Sequence, residues 1–396
     1  MLDRLRNSLS PLLLFASANL MMGLYAGLYD PSFNNYLAQV HNLGEIARGS
    51  LEFPREFPGF LVVFIFTALL FLADSYMAVL ATFLVGISLW GQGFLAPDMT
   101  MVVIWMILWS TGAHIFFVLR SSITLRLVEK EQAGTLLGRL GGMESWGKLM
   151  GMVLVYFGVS HFNLSFPAIF ALSGSCAFIS GILLFLMSPQ PIKRPPRYLL
   201  FKKKYTLYYI LNLFFGARKQ VFLTFAPWIL IKIYHCGVEI FAILGIIGTT
   251  AGLFFWPLLG KAIDKWGERL VIGVDSIILI SICLIYGFAP VWLPARVSLP
   301  IVMVCFILDQ LLFAVNMART TYLNRIAEDS NDIAPTLSMG TTIDHAASML
   351  VPIGGGIIWA YWGFQWVFAA ASILASVNLI LSSFIPHKTY QETYIS

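Results

Sequence analysis

The chain has 396 residues, 58% hydrophobic and 11% charged, less than half the roughly one-quarter charged residues of an average soluble domain. A soluble protein this apolar would leave large sticky patches in water, so soluble, disordered, collagen-like and disulfide-rich secreted classes are excluded and an integral membrane protein remains. The formal net charge of +5 is no sign of a nucleic-acid partner, because the basic excess sits in short connectors, as the positive-inside rule expects.

No cleavable signal peptide is evident at the start, Met1-Leu-Asp-Arg-Leu-Arg6, which runs into the first apolar stretch. A helix rises about 1.5 Å per residue, so about 20 apolar residues cross a bilayer. Twelve stretches qualify: 9–29, 45–72, 77–95, 99–126, 142–160, 165–187, 205–233, 239–260, 270–289, 300–324, 338–362 and 365–384. They are continuous runs without the ten-residue alternation of a membrane barrel, which predicts an all-α membrane protein. Cys176, Cys236, Cys283 and Cys305 lie far apart in or beside these stretches and read as small apolar residues, with neither zinc spacing nor a disulfide framework.

An ionisable side chain at hydrocarbon depth costs at least ~2.5–3.5 kcal/mol, so each one inside a span is a candidate functional residue. The first span ends at Asp30. The second opens Glu45-Ile-Ala-Arg48-Gly-Ser-Leu-Glu52-Phe-Pro-Arg55-Glu56-Phe-Pro-Gly59. Arg48, Glu52, Arg55, Glu56 and Gly59 fall on one helical face, and Pro54 and Pro58 predict bends. The same residues also allow an external amphipathic loop over 41–56 with the helix starting at Phe57, and Glu52 can simply neutralise Arg48 and Arg55. The fourth span holds His114 and Arg120, which do not share a face. The fifth holds Glu144 and Lys148 at i,i+4, which predicts a self-paired element. The Pro-rich basic segment 188–197 leaves six spans on each side. It divides the chain into 1–187, a linker 188–204, and 205–396.

In the second half, Arg218-Lys219-Gln220 sits mid-span without a carboxylate on the same helix. Its partners must come from other helices or from a ligand. Asp30, Glu52 and Glu56 are candidate resting partners, and the pair of cations points to an anion-attracting cavity. The tenth span carries Asp309 and Asn316, seven apart, and then Arg319. The eleventh carries Asp344-His345 with Ser348 one turn on, and a carboxylate beside an imidazole can tune it. His114 and His345 also fit hydrogen-bonded core positions. Pro352-Ile-Gly-Gly-Gly356 allows close helix approach and a bend.

Orientation follows from Lys and Arg. One set of connectors holds Lys130 and Arg139, then Lys193, Arg194, Arg197 and 202–204, then Lys261, Lys265 and Arg269, then Arg325. The other set has mainly Lys232 and Arg296. Both termini are therefore expected in the cytoplasm and the protein in the plasma (inner) membrane.

Gly260-Lys-Ala-Ile-Asp264-Lys265-Trp-Gly267-Glu-Arg269 resembles the helix 8–9 connector of the major facilitator superfamily, Gly-x-x-x-Asp-Arg/Lys-x-Gly-x-Arg/Lys. The first-half counterpart, 190 residues earlier, keeps only Asp74. The resemblance implies twelve transmembrane helices in two pseudo-symmetric six-helix bundles, and it favours the long second helix. It implies a cytoplasmic latch at Asp74, Asp264 and Arg269. Helices 1, 4, 7 and 10 would line a central cavity, placing Asp30, Arg120, Arg218, Lys219, Asp309 and Asn316 toward substrate. Arg48, Glu52, Arg55, Glu56, Asp344 and His345 would serve coupling or gating.

The function this reading predicts is secondary active transport of a small anionic or zwitterionic solute by alternating access, coupled to protons. Desolvation favours a protonated carboxyl and a nearby arginine an ionised one, so a buried carboxylate can exchange a proton for a basic partner. The expected partners are a small-molecule substrate and the lipid bilayer, with no nucleic acid, no cofactor beyond an ion gradient, and a monomeric state. An ATP-driven pump lacks its phosphate loop, and a membrane enzyme lacks a His-Glu-x-x-His or clustered His/Cys pattern. A multidrug or amphiphile exporter, a lipid translocator and a sensor of the same fold stay open.

Overall fold

The computed structural model describes residues 10–69, 71–124, 127, 133–187 and 199–386. The 188–197 segment, Arg126 and Lys130 lie outside the described residues. The helices are α1 (Pro11–Gln39), α2 (Glu45–Ser50), α3 (Glu52–Ala68), α4 (Asp74–Phe94), α5 (Met99–Thr124), α6 (Ala133–Phe162) and α7 (Phe166–Phe185). They continue with α8 (Thr206–Lys232), α9 (Val238–Trp292), α10 (Ala295–Leu312), α11 (Asn316–Ile326), α12 (Ser330–Trp362) and α13 (Phe364–Ser382). Among the described residues there is no strand. Among the described residues, the body of each of the twelve apolar stretches falls on helix. The second is α2 with α3, the eighth and ninth are the two parts of α9, and the tenth is α10 with α11. Large apolar side chains such as Phe64, Phe117, Phe254 and Ile373 stand exposed around the outside, as lipid contact requires and water would not tolerate.

Local chemistry explains the interruptions. α9 is two helices meeting at Gly267, whose φ of 80° and ψ of 163° suit glycine and little else. This is the second glycine of the connector motif. The break between α2 and α3 falls at Leu51. Pro54 cannot donate to the carbonyl of Ser50, and its ring crowds that carbonyl, so the ladder stops there. The charged stretch 45–56 is nevertheless helical rather than an external loop. A 3-10 turn over Phe313–Val315 separates α10 from α11.

The chain forms two compact units. One comprises Met1–Leu43, Phe57–Arg197 and Cys236–Ile246, the other Gly44–Glu56, Tyr198–His235 and Ile247–Ser396. In the first, α1 and α6 approach backbone to backbone. A Cβ on Gly23 would lie 2.0 Å from the Glu144 carbonyl oxygen, and one on Gly147 would lie 2.1 Å from that of Leu20. Gly27 and Gly151 repeat the contact one turn on, so a small-xxx-small face on each helix holds the pair. In the second unit, α2 packs on α12 in the same way. A Cβ on Gly49 would lie 2.1 Å from the Pro352 oxygen, and one on Gly356 would lie 2.6 Å from that of Glu45. The Pro352–Gly356 run thus provides the close approach that its composition predicts. The described end of the linker is tied to α12: Lys202 Nζ lies 2.5 Å from Asp332 Oδ2, and Tyr205 donates to the same oxygen at 2.8 Å. The Asp332 hydrogen bond raises the Lys202 ammonium above its usual range.

Candidate functional site

The helical spacing of Arg48, Glu52, Arg55 and Glu56 produces a continuous ion network in the second unit. Arg48 Nη1 donates to Glu52 Oε1 at 2.5 Å, Arg55 Nε lies 2.8 Å from Glu52 Oε2, and Arg55 Nη2 donates to Glu56 Oε1 at 3.1 Å. Glu52 therefore does neutralise both arginines. It also accepts from Gln220 Nε2 of α8 at 2.6 Å, and Glu56 Oε2 lies 2.8 Å from His345 Nδ1 of α12. Arg48 and Glu52 are 1% and 0% exposed, and the Arg48 guanidinium lies 5.8 Å from the Trp228 ring centroid. Ions this buried each cost several kcal/mol to desolvate, so they persist only when paired and hydrogen-bonded. Besides backbone contact, the segment is thus joined to α8 and α12 through carboxylates.

On α8, successive residues point about 100° apart, and the neighbouring cations go to different partners. Arg218 forms a buried ion pair with Asp309 of α10, its guanidinium 5.4 Å from the Phe313 ring centroid and 5.8 Å from that of Phe222. Lys219 Nζ donates to both oxygens of Asp344 on α12 at 2.8 Å, and Ser348 supports Oδ1 at 3.3 Å. The expected resting partners Asp30, Glu52 and Glu56 are replaced by Asp309 and Asp344. The two cations are paired, where the sequence suggested a pair open to an anion. A cation at this depth takes the nearest carboxylate, and α10 and α12 supply one each.

Asp309 is buried and Asn316 exposed. A 3-10 turn lies between them. The same turn precedes Arg319, which is 1% exposed and lies 4.0 Å from the Phe215 ring centroid. Asp275, in the second part of α9, is 3% exposed. Neither Arg319 nor Asp275 is assigned a role by the spacing of charges along the sequence, although a lone carboxylate inside an apolar run is the signal that marks Asp275.

In the first unit, Asp30 pairs with Lys148 at 2.8 Å, and Arg120 forms an ion pair with Glu144. Glu144 and Lys148 therefore reach α5 and α1 respectively rather than each other, because the close α1–α6 approach brings interhelical partners within range. His114 Nδ1 lies 2.8 Å from the Ser110 carbonyl oxygen on its own helix. At the connector motif, Asp264 is exposed and Arg269 half-buried. Buried Glu268 in the same motif forms an ion pair with Arg325, at 3.0 Å. Asp74 begins α4, where an anion suits the helix dipole, and accepts from Ser122 at 2.9 Å.

The model of the Major Facilitator Superfamily matches residues 57–331. The chain belongs to this superfamily. Among curated proteins, none matches it significantly in sequence. Its fold is similar to a crystal structure of a variant of the nucleoside transporter NupG, with a TM-score of 0.74 at 13% identity over 95% of this chain and 99% of that one. It is also similar to a D-xylose-proton symporter, with a TM-score of 0.68 at 16% identity over 96% and 98% of the chains. A bacterial homolog to the human lysosomal transporter Spinster, inward-facing and occupied, gives 0.69 at 15% over 96% and 97%. The protein is an all-α integral membrane transporter of this superfamily, not an enzyme.

Proposed function

We propose that the protein is a proton-coupled carrier of a small anionic or zwitterionic solute, working by alternating access. The observation that carries this reading is the concentration of buried charge in the second unit. The cations Arg48, Arg55, Arg218, Lys219 and Arg319 are matched by the carboxylates Glu52, Glu56, Asp275, Asp309 and Asp344. A structural core gains little from such pairs, since hydrophobic residues of similar volume are often as stable. A carrier gains a set of exchangeable partners. Protonation of Asp309 or Glu56 releases Arg218, Arg55 or His345 to a solute, and departure of the solute and the proton restores the pair. The similarity to a D-xylose-proton symporter supports proton coupling as chemistry within reach of this fold.

In this reading the bundles 1–187 and 205–396 move about the 188–204 linker, and a proton or other ion gradient replaces any cofactor. Segment 45–56 must release α12 for the site to open toward the side on which it lies. The protein acts as a monomer in the plasma membrane with both termini in the cytoplasm.

Uptake of radiolabelled organic anions and amino acids into proteoliposomes, with and without an inward proton gradient, tests the coupling. Accumulation that appears only with the gradient is expected, and accumulation indifferent to it removes the proton from the mechanism. Arg218→Ala, Lys219→Ala and Glu52→Gln are each expected to abolish uptake while the protein still inserts. Full uptake by all three would show that the site lies elsewhere.

A further inference from the structure

Arg319 and Asp275 form a pair of opposite charges that no ion pair joins among the described residues. Nε and Nη1 of Arg319 are buried with no acceptor, and Oδ1 of Asp275 is buried with no donor. Each charge acts on the other, Arg218 acts on both, and Asp344 acts on Arg319. One ring covers part of the guanidinium, that of Phe215 at 4.0 Å, and leaves its N–H edge unused. Buried groups left in this condition are rare and call for a missing partner.

The charges around them restrict what that partner is. A simple anion on Arg319 adds negative charge beside Asp275 and Asp344. A simple cation on Asp275 adds positive charge beside Arg218 and Arg319. A solute with both charges satisfies the donor and the acceptor together and leaves the local balance unchanged. We propose that Arg319 and Asp275 are the two poles of a binding site for a zwitterionic solute. Its carboxylate accepts a charge-assisted hydrogen bond from Nε or Nη1 of Arg319, and its ammonium donates to Oδ1 of Asp275. This rests on the carrier reading above and narrows the solute from charged to zwitterionic.

Ligand-induced thermal stabilisation and equilibrium binding on the purified full chain in lipid nanodiscs test the assignment. The probes are glycine, β-alanine, γ-aminobutyrate, leucine and phenylalanine, each beside its matched amine and matched carboxylate, with inorganic phosphate as a further anion. At least one zwitterion is expected to bind about tenfold more tightly than either of its single-charge counterparts, the worth of one charged hydrogen bond. Arg319→Gln is expected to move the preference to the matched amine, and Asp275→Asn to the matched carboxylate. A carboxylate or phosphate that binds as tightly as the best zwitterion overturns the proposal, and so does a panel without a binder. The wild-type panel alone decides if either variant fails to fold. Gradient-driven uptake of a solute lacking one of the two charges would remove this inference and leave the carrier reading intact, whereas a reconstituted protein that moves no solute would remove the carrier reading itself.

Discussion

Glu52 accepts from Arg48, Arg55 and Gln220 and is fully buried, so it is the residue on which the charged segment depends. Glu52→Gln removes a negative charge that Arg48 and Arg55 share and turns an acceptor toward the Gln220 amide into a mixed one. Breaking a buried pair in this way costs about 3–5 kcal/mol. The expected result is a lower midpoint of thermal unfolding in detergent, with Arg48→Met/Glu52→Met recovering part of the loss. The spacing of these residues was legible because it follows helix geometry. Their partners across helices were not, since nothing in a linear pattern says which carboxylate a cation at depth will find. Outside the spans, His41 lies between α1 and α2 and shares a hydrogen bond with Tyr36 at 2.9 Å. Burial lowers its imidazole below the ordinary value, against a smaller opposing effect of Asp98. The neutral ring is therefore the form the fold prefers. Stability should fall as pH drops below about 6.5, where the unfolded chain takes up the proton first. His41→Gln should flatten that part of the thermal-stability profile.

Proline and glycine placed most of the element boundaries in plain view. Pro54 stops the ladder at Ser50, and Gly267 makes the α9 turn that the connector motif requires. The 3-10 turn at Phe313–Val315 was not visible, because no proline or glycine marks it. Asp309 before it is buried, Asn316 directly after it is exposed, and Arg319 is buried again. The contact of α2 with α12 was half legible: the glycines after Pro352 announced a close approach, but not Gly49 as its counterpart. Gly49→Val would drive its side chain into the Pro352 carbonyl, which is backbone and cannot swing away. Overpacking of this kind costs about 1–3 kcal/mol. The variant should unfold at a lower temperature than the parent in detergent, and an unchanged midpoint would show that the helices part without cost.

At the scale of the molecule, composition, span count and one ten-residue connector were enough for the class and the superfamily. The two compact units are not the two sequence halves, however. Gly44–Glu56 from the first half belongs with the second-half helices, and Cys236–Ile246 from the second half belongs with the first-half helices. A reading that cuts the chain at its linker has no means of seeing this exchange, because it is decided by which helix ends pack together. It also places the charged segment against α8 and α12, which supply Gln220 to Glu52 and His345 to Glu56.

The equal number of buried or half-buried cations and carboxylates counted above around α8 in the second unit bears on how the carrier responds to voltage. An empty transporter whose interior charges cancel feels almost no force from the membrane field, so its return step should run at the same rate at any potential. A solute that is itself neutral overall, arriving with a proton, makes the loaded form positive and the forward step electrogenic. Currents recorded on a solid-supported membrane should therefore appear on addition of solute and grow with an inside-negative potential, about 2.3 kcal/mol for each elementary charge per 100 mV. Exchange of labelled for unlabelled solute should be silent.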